Sequence, residues 1–340
     1  MKGLTSNIKL ESNKRKFVML LLLIFLLVIS FVGSILLGYI KTNFYDLFNT
    51  YKNFSGTTEE IVIQSSRLPR ALTALFVGGS LGVSGVLMQS LTKNPMASPG
   101  LLGVNSGAAF FMVLIYSYFP SVNSSYGILF SFLGAAIAVI LVYSLAGGLK
   151  GSIQTFDLTL AGAAISALFM SFTQTILYKD QKTMEEVMFW LTGSVEGRSL
   201  EMLQKIIPFL VIAFILTFIL SKKLNILALG EEIAKGLGLK TEVLKFQMIL
   251  LVVVLAGGSV AVAGPISLVG LIVPHMVKAM VGSEYKWVIP YSIIVGAILL
   301  LSSDILARFL IYPKEIPVGA VTAILGTPFF IYLARKAENR

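Results

Sequence analysis

Long apolar runs constrain this chain more than any other feature of its sequence. Ten stretches approach the length of about 20 apolar residues that a helix needs to cross a bilayer. They lie at 17–40, 68–90, 100–119, 126–147, 156–177, 200–220, 243–264, 266–281, 287–307 and 317–334. The stretch at 266–281 is short and carries Pro274, so nine spans are the alternative. The pattern predicts an all-α polytopic membrane protein with about ten transmembrane helices.

Composition excludes several kinds of chemistry. Of the 340 residues, 56% are hydrophobic and 13% are charged, against about 25% charged in soluble proteins. With no Cys and one His, the chain cannot build a disulfide framework, a Cys-liganded metal centre or a multi-His site alone. We therefore predict no metal site, and we interpret His275, next to Pro274, as structural.

The sequence also lacks the G-x-x-x-x-G-K-[ST] phosphate loop of ATPases. Paired carboxylates or a nucleophile with its base are not recognisable either, so we predict a transporter rather than an enzyme. No cofactor is expected on this chain. If transport is active, ATP and Mg²⁺ must be held by a partner subunit.

The net charge of +10 has a topological explanation. The run at 17–40 follows Lys14, Arg15 and Lys16 but is too long for a cleaved signal peptide, so we interpret it as the first helix. An even number of spans places both termini on one side. Assigning that side to the cytoplasm puts most basic residues, and the whole charge excess, inside, as membrane proteins prefer. Nucleic-acid binding is then unnecessary to explain the charge.

This topology defines the domain organisation. We predict a cytoplasmic tail at 1–16, a single transmembrane permease domain at 17–334 and a cytoplasmic tail at 335–340. The expected location is a bacterial plasma (inner) membrane, with both termini in the cytoplasm.

Two glycine-rich segments resemble each other. Residues 78–85 read GGSLGVSG and residues 257–264 read GGSVAVAG. In the predicted topology the two segments run in opposite directions through the membrane, which is typical of an inverted internal repeat. The alternative is independent selection of small residues, because Gly, Ala and Ser let transmembrane helices approach closely.

Helix-breaking residues cluster where the spans meet the loops. Ser98 followed by Pro99 predicts a helix start. Irregular backbone inside a bilayer survives only when it is buried in protein or lines a wet cavity, so these breaks indicate a translocation path. The motif residues concerned are Asn94, Pro95, Pro99, Gly100, Gly264, Pro265, Pro274 and His275.

The loop at 222–242 is the best candidate for docking a soluble subunit. Residues 224–241 read LNILALGEEIAKGLGLKT, and the glycines divide this stretch into two short helices. The alternative is an amphipathic segment lying on lipid. The predicted contact residues are Leu227, Leu229, Gly230, Glu231, Glu232, Ile233, Lys235 and Leu237.

Several motifs, in order along about 65–334, resemble the FecCD-type ABC permeases. They are RLPR at 67–70, MQ at 88–89, NPMA at 94–97, PGLLGV at 99–104, LNILALGE at 224–231, AGPISLVGLIVPH at 263–275, DILAR at 304–308, EIPVG at 315–319 and LGTP at 325–328. Members of this family import ferric siderophores, haem or cobalamin. The resemblance implies a type II ABC importer permease with ten helices per subunit.

The same resemblance implies partners and residue roles. Two permease subunits, identical or paralogous, would assemble with a cytoplasmic ATPase dimer and an extracytoplasmic substrate-binding protein. Arg67, Arg70 and Arg308 would accept carboxylates of that binding protein, although arginines also anchor helix ends at the headgroups. The 222–242 loop would contact the ATPases, and 178–194 would contain the gate.

The resulting expectation is a permease for iron(III)-siderophore import, driven by a separate ATPase subunit. The same machinery carrying haem or cobalamin is the nearest alternative. An ion-coupled secondary transporter is more distant, because the spans lack the mid-membrane ionisable residue that usually binds a coupling ion.

Overall fold

The computed structural model describes residues 12–119, 124–147, 155–179, 184, 187–188, 190–311 and 314–338. Most of the predicted N-terminal tail and parts of the predicted gate at 178–194 and of the C-terminal tail lie outside these residues. Within the described part, the chain is helical. The helices are α1 Asn13–Leu36, α2 Phe44–Lys52, α3 Thr58–Val62, α4 Leu68–Thr92, α5 Val104–Tyr118, α6 Ser124–Leu145, α7 Thr155–Lys179, α8 Leu200–Ile219, α9 Ser221–Ala228, α10 Glu231–Gly236, α11 Thr241–Val252, α12 Gly258–Ala263, α13 Val269–Val281, α14 Tyr285–Phe309 and α15 Val318–Glu338.

The apolar helices confirm the predicted architecture. Among the described residues, seven helices are long and apolar enough to cross a bilayer: Asn13–Leu36, Thr58–Thr92, Tyr126–Leu145, Phe156–Lys179, Leu200–Ile219, Thr241–Ala263 and Tyr285–Phe309. Three shorter apolar helices are Val104–Tyr118, Val269–Val281 and Val318–Ile331. Together they match the ten predicted spans in order. The protein is an all-α polytopic membrane protein.

The second span begins ten residues earlier than its apolar run predicts. Thr57 and Glu60 form a capping box: the Thr57 hydroxyl accepts a hydrogen bond from the Glu60 amide, and the Glu60 carboxylate accepts one from the Thr57 amide at 3.3 Å. This polar cap starts α3 before the apolar run begins. A π-helical turn at Ile63–Arg67 then joins α3 to α4 without interruption.

The start of α5 also differs from the prediction. Ser98 and Pro99 open a 3₁₀ turn over Pro99–Leu102, and the Ser98 side chain makes no capping hydrogen bond. Gly103 follows with a positive φ of 71° and ends this turn. Because that left-handed conformation favours glycine, the α-helix begins at Val104 instead of at residue 100.

Helices α4 and α14 form the centre of the bundle as an antiparallel pair. Gly78 of α4 lies against Gly296 of α14, and Gly82 lies against Ser292. The residue number rises by four along α4 while it falls by four along α14, so the two helices run antiparallel. A Cβ atom on Gly82 would lie 2.5 Å from the Ser292 carbonyl oxygen. Glycine is therefore required there, because only a bare backbone allows this approach. In the 18-residue apolar part of the span Thr58–Thr92, 83% of the residues are buried, whereas in that of Asn13–Leu36 only 17% are. The span that contains α4 is therefore central and α1 is peripheral.

The two glycine-rich segments pack differently. Gly78 and Gly82 in the first segment face the backbone of α14, whereas Gly258 in the second faces the side chains of Ile206 and Leu210 on α8. Small residues thus serve a local packing purpose in both segments. The inverted internal repeat stays a prediction.

Candidate docking and coupling sites

The antiparallel pair separates two clusters of charged residues. Arg70 and Arg308 lie where α4 begins and α14 ends, whereas Lys93 and Tyr285 lie at the opposite ends of the same helices. With a rise of 1.5 Å per residue, Arg70 and Lys93 at the two ends of α4 lie about 35 Å apart. We call the two regions the arginine end and the coupling end.

At the arginine end, Arg67 holds the turn that follows α1. Its guanidinium donates to the carbonyl oxygens of Ile35 at 2.9 Å and Leu36 at 3.0 Å, to the Thr42 hydroxyl at 2.6 Å, and to the Ile40 carbonyl. The side chain is buried. This contact explains why α1 ends at Leu36 rather than at residue 40: the carbonyl groups of the turn bind the guanidinium instead of continuing the helix.

Arg70 joins α4 to two carboxylates. Its Nε and Nη2 lie 2.8 Å from Oδ1 of Asp304, and its Nη1 lies 2.6 Å from Oε2 of Glu315. Asp304 is completely buried, and the Glu315 side chain is 31% exposed. Both Arg70 nitrogens approach the same oxygen of Asp304, which leaves the other oxygen, Oδ2, for Arg308.

Arg308 completes the cluster from one turn beyond Asp304. It forms an ion pair with Asp304 and donates to the Ser34 carbonyl at 2.7 Å and the Leu37 carbonyl at 2.8 Å. Asp304 therefore lies between two guanidinium groups. We call Arg67, Arg70, Asp304, Arg308 and Glu315 the arginine cluster; it contains three cations and two carboxylates.

The structure brings all three predicted docking arginines together, but each is buried and makes its hydrogen bonds or ion pairs inside this chain. Asp304 and Glu315 lie in two of the sequence motifs, but the sequence did not assign them a role. Their ion pairs in the structure show that they neutralise the arginines. The spacing of Asp304 and Arg308, four residues apart on a helix, is the signal that could have identified one of the pairs.

A further carboxylate, Glu196, lies in the electrostatic field of the cluster. Burial, followed by repulsion from Glu315, raises the pKa of Glu196, and the attraction of Arg70 opposes this. The Glu196 amide donates to the Ser194 hydroxyl at 3.1 Å. Sequence reasoning did not identify this residue, because nothing in the sequence places it beside the ends of α4 and α14.

At the coupling end, α9 and α10 are the two short helices that the glycines predict. Gly230 separates them with a φ of +122°, which an L-residue adopts only under strain. Leu229, Ile233 and Leu237 are 61%, 54% and 64% exposed. They form an apolar edge that nothing in the described part of the chain covers.

Leu227 is the exception among the predicted contact residues. It is 2% exposed and belongs to the hydrophobic core. The structure therefore gives it a packing role, because a buried side chain cannot reach a partner protein without local unfolding.

Ion pairs fix α10 against α11. Oε2 of Glu231 lies 2.9 Å from the Lys245 Nζ, and Oε1 lies 3.1 Å from the Lys235 Nζ. Burial acts to raise the pKa of Glu231, but the hydrogen bonds from Lys245 and Lys235 outweigh it and lower the pKa. The segment is thus held rigidly to the transmembrane helix that follows it.

An open depression of about 600 Å³ adjoins these helices. Its walls come from α10, from the linker of Leu229 and Gly230 before it, and from Lys93, which directly follows α4. The lining residues are Lys93, Leu229, Gly230, Glu231, Glu232, Ile233 and Lys235. The lining contains both apolar and charged side chains, as protein–protein interfaces do. The depression is large enough to receive a protruding segment of another protein.

The helix-breaking motifs form tight connectors. Oδ1 of Asn94 accepts a hydrogen bond from the Met96 amide at 2.9 Å, which shapes the turn before Pro99. Gly264 has a φ of +72°, and a Cβ there would overlap the Trp190 carbonyl oxygen. Close backbone contact therefore requires glycine at this position.

His275 lies in α13, one residue after Pro274. Its ring meets Phe329 edge-on at 6.0 Å between centroids. In the described part of the chain, no group of three His, Asp or Glu side chains could hold a metal ion. The structural role of His275 stays a prediction.

Comparison with known proteins identifies the family. Residues 26–336 match the FecCD transport family. The chain is 47% identical over 325 residues to the "Probable siderophore transport system permease protein YfiZ" of Bacillus subtilis, which covers 95% of this chain and 97% of the relative. It is 38% identical to the Fe(3+) dicitrate transport system permease protein FecC of Escherichia coli, over 82% of this chain and 85% of that protein.

A solved structure agrees in fold. A metal-chelate type ABC transporter in an inward-facing conformation matches with a TM-score of 0.83 and 32% sequence identity, over 94% of this chain and 99% of that chain. The chain described here therefore belongs to the FecCD transport family. It is a multi-pass membrane permease subunit of an ABC importer, not an enzyme, and ATP hydrolysis belongs to a separate subunit.

Proposed function

We propose that this chain forms the membrane path of a binding-protein-dependent importer of iron(III)-siderophores. The observation that supports this most directly is the end-to-end match with a relative named for siderophore transport. In this proposal, a cytoplasmic ATPase dimer contacts the coupling end, and an extracytoplasmic binding protein docks on the arginine end. A second permease subunit, identical or paralogous, completes the path.

The charge distribution supports this orientation. With both termini in the cytoplasm, the coupling end faces the ATPases and carries the positive excess that inner loops prefer. The exposed edge of Leu229, Ile233 and Leu237 then offers an apolar contact beside charged residues, as partner-binding surfaces do. The rigid α4–α14 pair connects this surface to the arginine end.

The arginine cluster supports docking through its charge excess. Its three guanidinium groups exceed its two carboxylates by one. Arg67 supplies the extra cation, because the described carboxylates of the cluster pair with Arg70 and Arg308 instead. Arg67 is itself buried, so its charge would attract and orient acidic residues of a partner through its electrostatic field rather than by direct contact.

Arg67→Gln tests this docking role while leaving the ion pairs of Asp304 intact. We expect weaker binding of the purified substrate-binding protein and a smaller dependence of that binding on salt, with basal ATPase activity of the complex retained. Lys52→Gln on α2 removes an exposed cation as the matched control. Unchanged binding by Arg67→Gln would refute the role of this residue in docking.

Substrate class is tested by uptake. In a strain lacking this gene alone, we expect uptake of labelled iron(III)-siderophores to be lost and to return with the gene, provided that the phosphate loop of the ATPase is intact. Selective loss of haem or cobalamin uptake would instead establish one of those cargoes. Transport by the purified chain alone, driven by an ion gradient, would overturn the ABC mechanism.

A further inference from the structure

A groove of about 330 Å³ opens on the side of the helix bundle, between α6 and α8. Its walls are α6, with Leu129 and Phe132, and α8, with Phe209. Its floor is the junction of α11 and α12, with Val254 and Gly258. The volume lies in the range of about 300–1,000 Å³ that is usual for small-ligand sites. The groove is too small to receive a helix of a partner protein, which is about 10–12 Å wide.

The groove exists because α6 and α8 pack on a common neighbour. Both helices approach the segment 253–263, which is a π-helical turn at Val253–Gly257 followed by α12. In the described part of the chain, few close approaches join α6 directly to α8. A Cβ atom on Gly258 would lie 3.2 Å from Leu210 Cδ2 and 3.7 Å from Ile206 Cγ2. A side chain there would therefore enter the groove. π-helical turns such as this one occur frequently at functional sites.

The groove lies within the membrane-crossing part of the chain. Its three sides belong to the spans Tyr126–Leu145, Leu200–Ile219 and Thr241–Ala263. Leu129 and Phe209 at its opening are both exposed, although they belong to apolar spans. A groove that opens on such a surface inside a bilayer is accessible to the acyl chains of lipids.

Two charged residues on α8 mark one end of the groove. Lys205 is part of its lining, and Glu201 lies one turn earlier, with Oε1 2.9 Å from the Lys205 Nζ. Because α8 begins at Leu200, Lys205 lies about 8 Å along the helix from its start. A lysine at such a depth extends its ammonium group to the lipid head groups while its methylene chain stays in apolar surroundings. This end of the groove therefore lies near the boundary between acyl chains and head groups.

We propose that the groove binds one phospholipid with an ethanolamine head group. An acyl chain fills the groove, the lipid phosphate accepts a hydrogen bond from Lys205, and the lipid ammonium donates one to Glu201. An ammonium and a carboxylate one helical turn apart complement the two opposite charges of this head group. Choline has no N–H to donate, and glycerol carries no cation for Glu201. The site is separate from the transported cargo.

Native mass spectrometry of the full chain, purified in detergent, provides the test. The chain is titrated with phosphatidylethanolamine, phosphatidylglycerol and phosphatidylcholine that carry identical acyl chains. We expect one phosphatidylethanolamine molecule to be retained per chain, with a half-saturation point lower than that of either other lipid by about threefold, the scale of an exposed ion pair. Equal half-saturation points for the three lipids would indicate a general lipid layer and would overturn the proposal.

Two variants of α6 separate the groove from the rest of the lipid-facing surface. Leu129 is 52% exposed and lines the groove, whereas Leu133, one turn further along, is 42% exposed and is not part of the lining. Leu129→Trp should occupy the groove and abolish retention of the lipid. Leu133→Trp adds the same side chain outside the groove and should leave retention unchanged. Equal retention by these two variants would overturn the proposal.

Lys205→Gln tests the head-group contact without filling the groove, and it serves also if Leu129→Trp fails to fold. Because Lys205 is exposed, its substitution should leave the fold intact. We expect the half-saturation point for phosphatidylethanolamine to rise by about threefold. Lys222→Gln on α9 removes an exposed cation outside the groove and should have no effect. The proposal is overturned if Lys205→Gln and Lys222→Gln respond alike.

Discussion

Both ends of the α4–α14 pair carry ion pairs, but the ion pair between Arg70 and Asp304 is buried, whereas the one between Lys235 and Glu231 is partly exposed. At the arginine end, Arg70 and Asp304 pair with side-chain exposures of 9% and 0%. At the coupling end, Lys235 and Glu231 pair with exposures of 55% and 28%. A buried pair cannot lose one partner without leaving a desolvated charge, whereas water replaces a lost partner at the surface. We therefore expect stability to depend on the arginine end and subunit contact on the coupling end.

Asp304→Asn should produce the largest loss of stability. It removes the charge that lies between Arg70 and Arg308 and leaves two buried guanidinium groups without their shared counterion. Removing one partner of a buried ion pair costs about 3–5 kcal/mol. Thermal unfolding of the detergent-purified chain, followed by loss of the monodisperse peak in size-exclusion chromatography, would measure this.

Glu201→Gln is the matched control. Glu201 and Lys205 are also an acidic and a basic residue four positions apart on a helix, but their side chains are 76% and 53% exposed. An exposed helical pair contributes about 0.3–0.5 kcal/mol. If Asp304→Asn unfolds no earlier than this control, the arginine cluster does not stabilise the fold.

Leu227→Ala and Leu229→Ala compare packing with contact at the coupling end. Leu227 is 2% exposed, so its truncation should cost about 2–5 kcal/mol. Leu229 is 61% exposed, so its truncation should change stability by no more than about 0.5 kcal/mol. The measurement is again the unfolding temperature of the purified chain.

Retention of the ATPase subunit by the assembled complex should depend on Leu229 more than on Leu227, which is the reverse of their order for stability. Leu229→Ala removes part of the exposed apolar edge and should weaken retention of the ATPase subunit during purification, although the chain itself stays folded. Full retention with Leu229→Ala would show that the edge contacts lipid, which is the alternative interpretation of this segment.

Periodic and local features of the sequence predicted most of the fold. The ten apolar helices follow the ten hydrophobic runs in order, because a bilayer allows few ways to satisfy backbone polar groups. The division of residues 221–236 into two short helices follows from Gly230, a local effect of backbone freedom. Neither prediction required knowledge of which helices are neighbours.

Long-range contacts explain what the sequence did not predict. Arg70 and Asp304 are 234 positions apart, so nothing local to either residue indicates that one neutralises the other. The burial of Leu227 likewise depends on how distant helices pack. The early start of α3 is different: Thr57 and Glu60 have capping-box spacing, and the apolar run concealed that local signal.

A smaller effect than those of Asp304 and Leu227 is expected at Glu231, and it depends on pH. Its pKa is lowered in the folded chain by Lys245 and Lys235, against the effect of burial, so its ionised form stabilises the fold. That contribution is complete above the unfolded pKa of about 4.3 and disappears as the pH falls through the lower folded value. Glu231→Gln should therefore cost about 1 kcal/mol at neutral pH and almost nothing in acid. An equal difference between parent and variant at both pH values would show that Glu231 acts by packing rather than by charge.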